Sequence, residues 1–205
     1  MNISGNFNTK ERERRVVREL LDMRGINYDD VIECIDPDAG DVVILSGGKE
    51  IIVEVKEEEY ETRFKHYGDL GIDLISTFQF ASAADRQKWR GVLPCGRFNE
   101  MYATIDKTRG FKWGKLMYSK SHIWLFFVMR GNEYHYAEFF DGNGIKSDGF
   151  KAYLKRNCKF AVNNKPQSQC SYNDGFQSAA IFVNSNDREL NKHRINDLNR
   201  FIAVL

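Results

Sequence analysis

The sequence predicts a mixed α/β fold, and three observations support this class. Residues 10–24 place apolar side chains at helical spacing. Two short apolar strands follow on either side of a Gly-Gly pair, which is typical of a hairpin. Further apolar or alternating segments at 71–80, 123–129 and 133–140 predict more strands for a central mixed sheet. With 205 residues, the chain can bury a sizeable core as one domain.

The first helix is expected over residues 10–24, with Asn8 or Thr9 as its N-cap and Gly25 as its end. Its apolar positions are Val16, Val17, Leu20, Leu21 and Met23. Glu13 lies at the edge of this apolar stripe, where a carboxylate usually needs a partner or a metal ion. A surface salt bridge to a neighbouring arginine is the alternative for Glu13.

The segment that follows contains the most informative pattern in the chain. From Gly40 to Lys56 it reads Gly-Asp-Val-Val-Ile-Leu-Ser-Gly-Gly-Lys-Glu-Ile-Ile-Val-Glu-Val-Lys. Alternation along the second strand puts Glu54 and Lys56 on one face and the apolar residues on the other. Asp41 opens the first strand and is expected level with Glu54. Two carboxylates and a lysine would then converge, which suits a hard divalent cation beside a phosphate. Charged residues on the exposed face of a hairpin are the alternative.

The order of these parts resembles the PD-(D/E)XK nuclease superfamily, which has the restriction-endonuclease-like fold. The matching parts, over about residues 9–60, are the helix with Glu13, a strand near 31–35, Gly40-Asp41, and Glu54-Val55-Lys56. The sequence is most similar to Holliday-junction resolvases of the archaeal type and to phage nucleases. It departs from the family pattern in having Gly40 in place of the name-giving proline, a substitution that leaves the aspartate in position.

A second similarity, to phage-type members of the superfamily, extends to residues 66–76 and 119–127. It would make Asp73 a further acidic neighbour of the site and leaves open whether His66 joins it. An outward-facing residue on an alternating strand is the alternative for Asp73.

The resemblance implies a restriction-endonuclease-like core that hydrolyses phosphodiester bonds with Mg²⁺ or Mn²⁺. Asp41 and Glu54 would bind the metal ion, with the Val55 carbonyl as a further ligand, and Glu13 would complete or orient the ligand shell. Lys56 would lie beside the attacking water. The expected substrate is DNA, structured or branched and of phage or mobile-element origin; RNA as substrate and a homodimeric state stay open. A catalytically inactive relative that binds nucleic acid or a protein is the alternative function.

We expect a single domain over residues 1–205, with a core at about 9–140. A short helix at 148–156 and a polar loop at 163–175 follow it. A C-terminal strand and helix, residues 179–205, would pack on the core, the helix being capped by Asn186 or Asp187. Pro94, Gly96, Gly110 and Gly114 predict a long irregular stretch in the middle of the chain.

The charges are unevenly distributed, although the net charge is only +1. Residues 29–61 contain twelve acids and two bases, whereas residues 85–120 contain nine bases and three acids. A module this acidic needs a separate basic surface to hold a polyanion. The residues expected to bind nucleic acid are Arg109, Lys112, Trp113, Lys115 and Lys120. The basic side chains would contact phosphates, and the tryptophan would stack on a nucleobase. A solvated loop with aromatic side chains at the edge of the core is the alternative.

Several classes of protein are not indicated. No apolar run approaches the length of a membrane span, and the first residues lack the pattern of a signal peptide, so we expect a cytoplasmic protein without a membrane partner. The four cysteines are widely spaced, which favours free thiols over a zinc site built from Cys158, Cys170 and a histidine. The sequence contains no phosphate-binding glycine loop.

Overall fold

The computed structural model of the protein describes residues 3–164 and 176–205. Most of the polar loop expected at 163–175 lies outside the described residues, and so does Cys170. Helices and strands alternate along the described chain, which confirms the predicted mixed α/β class. The strands belong to two sheets, where the sequence led us to expect one central sheet.

Elements are numbered along the chain. The strands are β1 (Asp30–Glu33), β2 (Val42–Ser46), β3 (Lys49–Glu59), β4 (Asp69–Phe80), β5 (Gly91–Pro94), β6 (Ile105–Asp106), β7 (Lys112–Trp113), β8 (Ile123–Arg130), β9 (Glu133–Asp141), β10 (Lys159–Asn164) and β11 (Gln177–Asn184). The α-helices are α1 (Ile3–Met23), α2 (Lys65–Tyr67), α3 (Ala83–Lys88), α4 (Phe98–Tyr102), α5 (Lys115–Tyr118), α6 (Gly142–Lys146), α7 (Asp148–Asn157), α8 (Arg188–Asn191) and α9 (Leu198–Val204). A π-helical turn spans Tyr60–Phe64, and a 3₁₀ turn spans Cys95–Arg97.

The chain forms two compact units. The first takes its described residues from Met1–His66, Ser119–Ile145 and Lys192–Leu205, and the second takes its own from Tyr67–Tyr118 and Lys146–Asn191. Each unit contains one of the two sheets, so each is described by itself.

The first unit contains a five-stranded mixed sheet in the order β1-β2-β3-β8-β9. Strands β3 and β8 are parallel, and the other neighbouring pairs are antiparallel. Helices α1 and α9 bury their apolar side chains, such as Leu20 and Leu198, against the sheet face that contains Val53 and Val55. Because side chains alternate along β3, Glu54 and Lys56 belong to the opposite face of this sheet.

Helix α1 is longer than the sequence predicts. It begins at Ile3, so Asn8 and Thr9 lie inside it and do not cap it. Lys10 forms an ion pair with Glu33 of β1. The apolar face of α1, which includes Val16 and Leu20, packs in the core of the first unit. Such tertiary contacts outweigh the small differences in helix propensity that favour Asn8 or Thr9 as a cap. The predicted end is confirmed: Gly25 adopts a φ of +63°, and its N–H donates to the Asp22 carbonyl at 3.0 Å.

The second unit contains an antiparallel sheet in the order β5-β10-β11-β4-β6, with β7 also paired to β4. The strand predicted at 71–80 is therefore part of this sheet. Strands β5 and β10 were not predicted. The periodicity of a strand indicates which of its faces is buried, but not which strand pairs with it. The sequence therefore did not predict a second sheet.

Two further segments differ from expectation. The stretch predicted to be irregular contains α4, β6, β7 and α5. The predicted C-terminal helix is interrupted, because α8 and α9 are separate and Asp197 caps α9 through a 2.9 Å bond from the Arg200 N–H. Among the described residues, no helix combines the length and the apolar content that crossing a bilayer requires.

Candidate functional site

The β2–β3 hairpin of the first unit brings Asp41 level with Glu54, as the sequence predicts. Gly47 and Gly48 have positive φ angles of 56° and 78°, which a tight two-residue turn requires. The turn sets a register in which Val42 lies opposite Val53. One residue further from the turn, Asp41 is therefore opposite Glu54.

At this end of the hairpin the backbone ladder gives way to a side-chain contact. The Asp41 N–H donates to the Val53 carbonyl at 2.9 Å. Further along β3, the Val55 N–H donates to the Asp41 side chain, at Oδ2 and 2.8 Å, and not to a backbone carbonyl. A strand residue directs its N–H and C=O to the same side. The Val55 carbonyl is thus expected to point toward the side on which Asp41 lies.

Gly40 has a steric reason to be glycine. A Cβ atom on this residue would lie 2.5 Å from Ile52 Cγ2 and 3.0 Å from the Val53 carbonyl oxygen. The loop before Asp41 is therefore pressed against β3 more closely than a side chain allows. A proline at this position, as in the motif that the sequence resembles, would carry such a Cβ atom and collide with β3, which gives a packing reason for the glycine.

Glu54 and Lys56 form an ion pair, with Lys56 Nζ 2.9 Å from Glu54 Oε1. The Glu54 side chain is 0% exposed, and the Lys56 side chain is 16% exposed. Trp124 of the parallel strand β8 lies opposite Glu54, and Lys56 Nζ is 6.0 Å from the centroid of an indole ring that is itself fully buried. In such surroundings charges interact much more strongly than in water. The alternative that these are charged residues on an exposed face does not hold for Glu54, whose carboxylate is buried.

Glu13 is half-buried on α1. This helix packs on the face of Val53 and Val55, which is opposite to the face of Glu54 and Lys56. Its neighbour Arg12 forms an ion pair with Glu57 of β3. The structure thus brings Asp41, Glu54 and Lys56 together, and it places the helix carrying Glu13 on the other side of the sheet. The proposed role of Glu13 stays a prediction.

Lys120 belongs to the first unit and lies beside the loop that precedes Asp41. Its N–H donates to the Ala39 carbonyl at 3.2 Å, and its Nζ is 3.5 Å from Asp36 Oδ2. The buried hydroxyl of Ser119 also donates to the Ala39 carbonyl, at 3.0 Å. These contacts support the loop that positions Asp41, a role that the sequence did not indicate.

His122 is a further residue whose position the sequence did not reveal. Its Nδ1 accepts a 3.0 Å hydrogen bond from the Ile52 N–H, and its own N–H donates to the Ile52 carbonyl at 2.8 Å. The imidazole thus holds β3 two residues before Glu54. The one feature of the sequence that indicated a position near the site is that His122 directly precedes the apolar strand β8.

The other predicted contacts with nucleic acid lie in the second unit. Lys112 and Trp113 form β7, and Lys115 begins α5. Arg109 is exposed and pairs with Asp106, with 3.3 Å between Nε and Oδ2. Asp73, which the second similarity implies as a further acidic neighbour of the site, lies on β4 in this unit. His66 is an exposed residue of α2 and belongs to the first unit.

The residues around Asp41 and Glu54 supply oxygen donors of the kind that Mg²⁺ prefers. Over the described ranges, 3–164 and 176–205, no three or more His, Cys, Asp or Glu side chains are grouped so that they could hold a metal ion. A site here would therefore consist of two carboxylates and the Val55 carbonyl, completed by water or substrate oxygens, as Mg²⁺ often is. This donor set fits the ion that the resemblance implies.

In comparisons with known proteins, the chain matches no protein-family model, no curated protein and no solved structure. The motif and the geometry of the hairpin are therefore the observations that bear on function.

Proposed function

We propose that the protein is a metal-dependent nuclease that hydrolyses phosphodiester bonds in DNA, with a site built on a restriction-endonuclease-like core. One observation carries the proposal. Asp41, Glu54 and Lys56 converge at the end of the β2–β3 hairpin, with Asp41 Oδ2 2.8 Å from the Val55 nitrogen and Lys56 Nζ 2.9 Å from Glu54 Oε1. This arrangement is the one that the resemblance of the sequence motif implies, and it supports the proposal.

Asp41 and Glu54 would hold Mg²⁺ or Mn²⁺, together with the Val55 carbonyl. The ion, when bound, supplies a Lewis acid for a phosphoryl oxygen and acidifies a water molecule. The hydrogen bond from the Val55 N–H orients the Asp41 carboxylate, so that its position does not depend on a mobile rotamer. Orientation of this kind is the contribution of the hairpin.

Lys56 would stabilise negative charge on the phosphate. Its side chain is 16% exposed, so its ammonium group lies at the border between the buried Glu54 and solvent. A cation held in place beside a desolvated carboxylate is pre-positioned, which is the condition for electrostatic stabilisation of a transition state. Contacts of this type typically contribute factors of about 10² to 10³ in rate.

The alternative function, a catalytically inactive protein that binds nucleic acid or a protein partner, is also favoured by a specific observation. Glu54 is fully buried and already paired with Lys56. A buried ion pair can have a purely structural role, in which it specifies how a sheet packs. In that case the same three residues would support structure and no chemistry.

A cleavage assay decides between the two functions. Single-stranded, duplex, nicked and branched DNA, and a single-stranded RNA, are incubated with the wild type in Mg²⁺ or Mn²⁺. We expect cleavage that is lost in Asp41→Asn and in Glu54→Gln, and that falls about 10²-fold or more in Lys56→Ala. Glu50→Gln is the matched control, because Glu50 is an exposed residue of the same strand and its substitution should leave the rate unchanged.

Binding of the metal ion provides the second measurement. Calorimetric titration with Mg²⁺ should show binding to the wild type and to Glu50→Gln, and none to Asp41→Asn. Circular dichroism confirms that each variant is folded, which matters most for the buried Glu54. Wild-type rates in folded Asp41→Asn and Glu54→Gln would overturn the proposed site, and inactivity of the wild type on every substrate would favour the non-catalytic alternative.

A further inference from the structure

The second unit contains a column of aromatic rings that leads from its core to its surface. Phe98 is buried, and its ring stacks on Tyr102 with 5.9 Å between centroids and an interplanar angle of 23°. Tyr102 in turn stacks on Trp113 at 5.2 Å and 20°. Phe111 packs edge-on beside this pair, with its ring centroid 5.0 Å from that of Trp113 and 5.8 Å from that of Tyr102. Trp113 is the last of the near-parallel rings and is half-buried. Near-parallel stacking of this kind can be continued by one more flat ring.

The backbone holds Trp113 firmly in this position. Its strand, β7, pairs with β4, with Trp113 opposite Ile75. The next N–H, that of Gly114, donates to the Leu74 carbonyl at 2.9 Å. A Cβ atom on Gly114 would collide with the Asp73 carbonyl, so the close approach to β4 requires glycine. The indole is therefore presented by a rigid element, which lowers the entropic cost of binding a ligand.

The surroundings of the column are basic. Between Ile105 and Lys115 there are four bases and one acid, Asp106, which pairs with Arg109. Lys107 Nζ lies 4.1 Å from the centroid of the Tyr102 ring. Lys112 precedes Trp113 in β7 and is exposed, with its Nζ 5.7 Å from the centroid of the Tyr118 ring. Positive charges near a partly exposed aromatic ring match a ligand with alternating planar rings and phosphates.

We propose that Trp113, supported by Tyr102, is a stacking site for an unpaired base of single-stranded nucleic acid, with Lys107 and Lys112 contacting the adjacent phosphates. The proposal rests on the proposed function only in taking a nucleic acid as the partner. Inside a duplex both faces of each base are already stacked, so an indole can stack on a base only where the strand is unpaired. The basic charge argues against an apolar protein surface as the occupant, because such a surface would remove water from the ammonium groups without offering them an opposite charge.

Tryptophan fluorescence can report on this site. Trp89 and Trp124 are both 0% exposed, whereas Trp113 is partly exposed. A base that stacks on Trp113 should quench its emission. We would titrate the full-length Glu54→Gln protein, which cannot cleave if the proposed function holds, with oligo(dT), oligo(U), a blunt duplex of equal length, and heparin as a polyanion without bases. Quenching by oligo(dT), oligo(U) or both is expected, and their relative affinities identify the preferred sugar.

Variants separate stacking from charge. Trp113→Ala should weaken binding of a labelled oligo(dT), measured by anisotropy, about 5- to 140-fold, with little change in salt dependence. Trp113→Phe keeps a flat ring and should retain most of the affinity while losing the quenching signal. Lys112→Ala should lower the slope of log affinity against log salt by about 0.7. Tyr67→Ala is the matched control, because Tyr67 is 63% exposed in the same unit and lies outside the column.

Three results would overturn the proposal. They are an absence of quenching by both single strands, a Trp113→Ala affinity equal to that of Tyr67→Ala, and binding of the duplex as tight as that of single strands. None of these readouts requires cleavage. A protein that stacks on single strands but does not hydrolyse them would refute the nuclease and keep this site, so the two proposals can fail separately.

Discussion

The buried ion pair between Glu54 and Lys56 leads to a specific prediction about stability. Replacing Lys56 with Met keeps an unbranched side chain, one atom shorter, and removes its charge. Glu54, which is 0% exposed, would then be a buried carboxylate without its cation. Breaking a buried pair in this way typically costs about 3–5 kcal/mol of unfolding free energy. Because the Lys56 side chain is 16% exposed, water can partly replace the ammonium group, and we expect a loss near the lower limit, about 3 kcal/mol.

Urea denaturation followed by circular dichroism measures this loss. With a slope of about 3 kcal/mol per molar urea, the midpoint should fall by about 1 M. The double variant Glu54→Met/Lys56→Met should recover most of the stability, since two apolar side chains of similar volume need no counter-charge. Lys65→Met is the matched control, because Lys65 pairs with Glu61 in an exposed i,i+4 contact and its loss should not move the midpoint.

Two outcomes would refute this reasoning. If Lys56→Met unfolds at the same urea concentration as Lys65→Met, the Glu54 carboxylate is not held in a low-dielectric site. If the double variant is no more stable than Lys56→Met alone, the loss comes from missing packing of the lysine stem and not from the unpaired charge. Either result would also weaken the electrostatic role proposed for Lys56 in catalysis.

Two further predictions concern packing and ionisation. Gly40→Ala should destabilise the protein by about 1–3 kcal/mol in urea melts, because its Cβ would lie 2.5 Å from a methyl group of β3, whereas Gly96→Ala, which has open space, should be neutral. A neutral Gly40→Ala would show that the loop before Asp41 moves freely. Burial raises the pKa of Cys95 to about 12 and that of Cys158 to about 11. Both thiols should therefore resist iodoacetamide at pH 8.5 until urea unfolds the chain. Because the unfolded thiols ionise first, their contribution to stability should fall as pH rises from about 9 to 12, and this fall should be smaller in Cys95→Ala. Rapid labelling of Cys95 or Cys158 in the native protein at pH 8.5, located by peptide mapping, would contradict the burial of Cys95 or the partial burial of Cys158.

Local patterns in the sequence were sufficient for the hairpin and for the end of the first helix. Apolar alternation and the Gly47-Gly48 turn determine the register of β2 and β3, because the turn leaves only one pairing that buries one face. That register places Asp41 opposite Glu54 with no information from the rest of the chain. Gly25 similarly ends α1 because its positive φ suits the C-terminus of a helix.

Burial and long-range partners were decided by the tertiary structure. Alternation shows that Glu54 and Lys56 share a face, but only the tertiary structure shows that the Glu54 carboxylate is buried and that Trp124 of β8, about seventy positions along the chain, lies next to it in the sheet. The column of rings likewise joins Tyr102 to Trp113 across a segment whose sequence predicts an irregular stretch. The physical reason is common to both cases. Periodicity along a strand or helix records which side is apolar, whereas the identity of the element that packs on that side depends on contacts between residues distant in sequence.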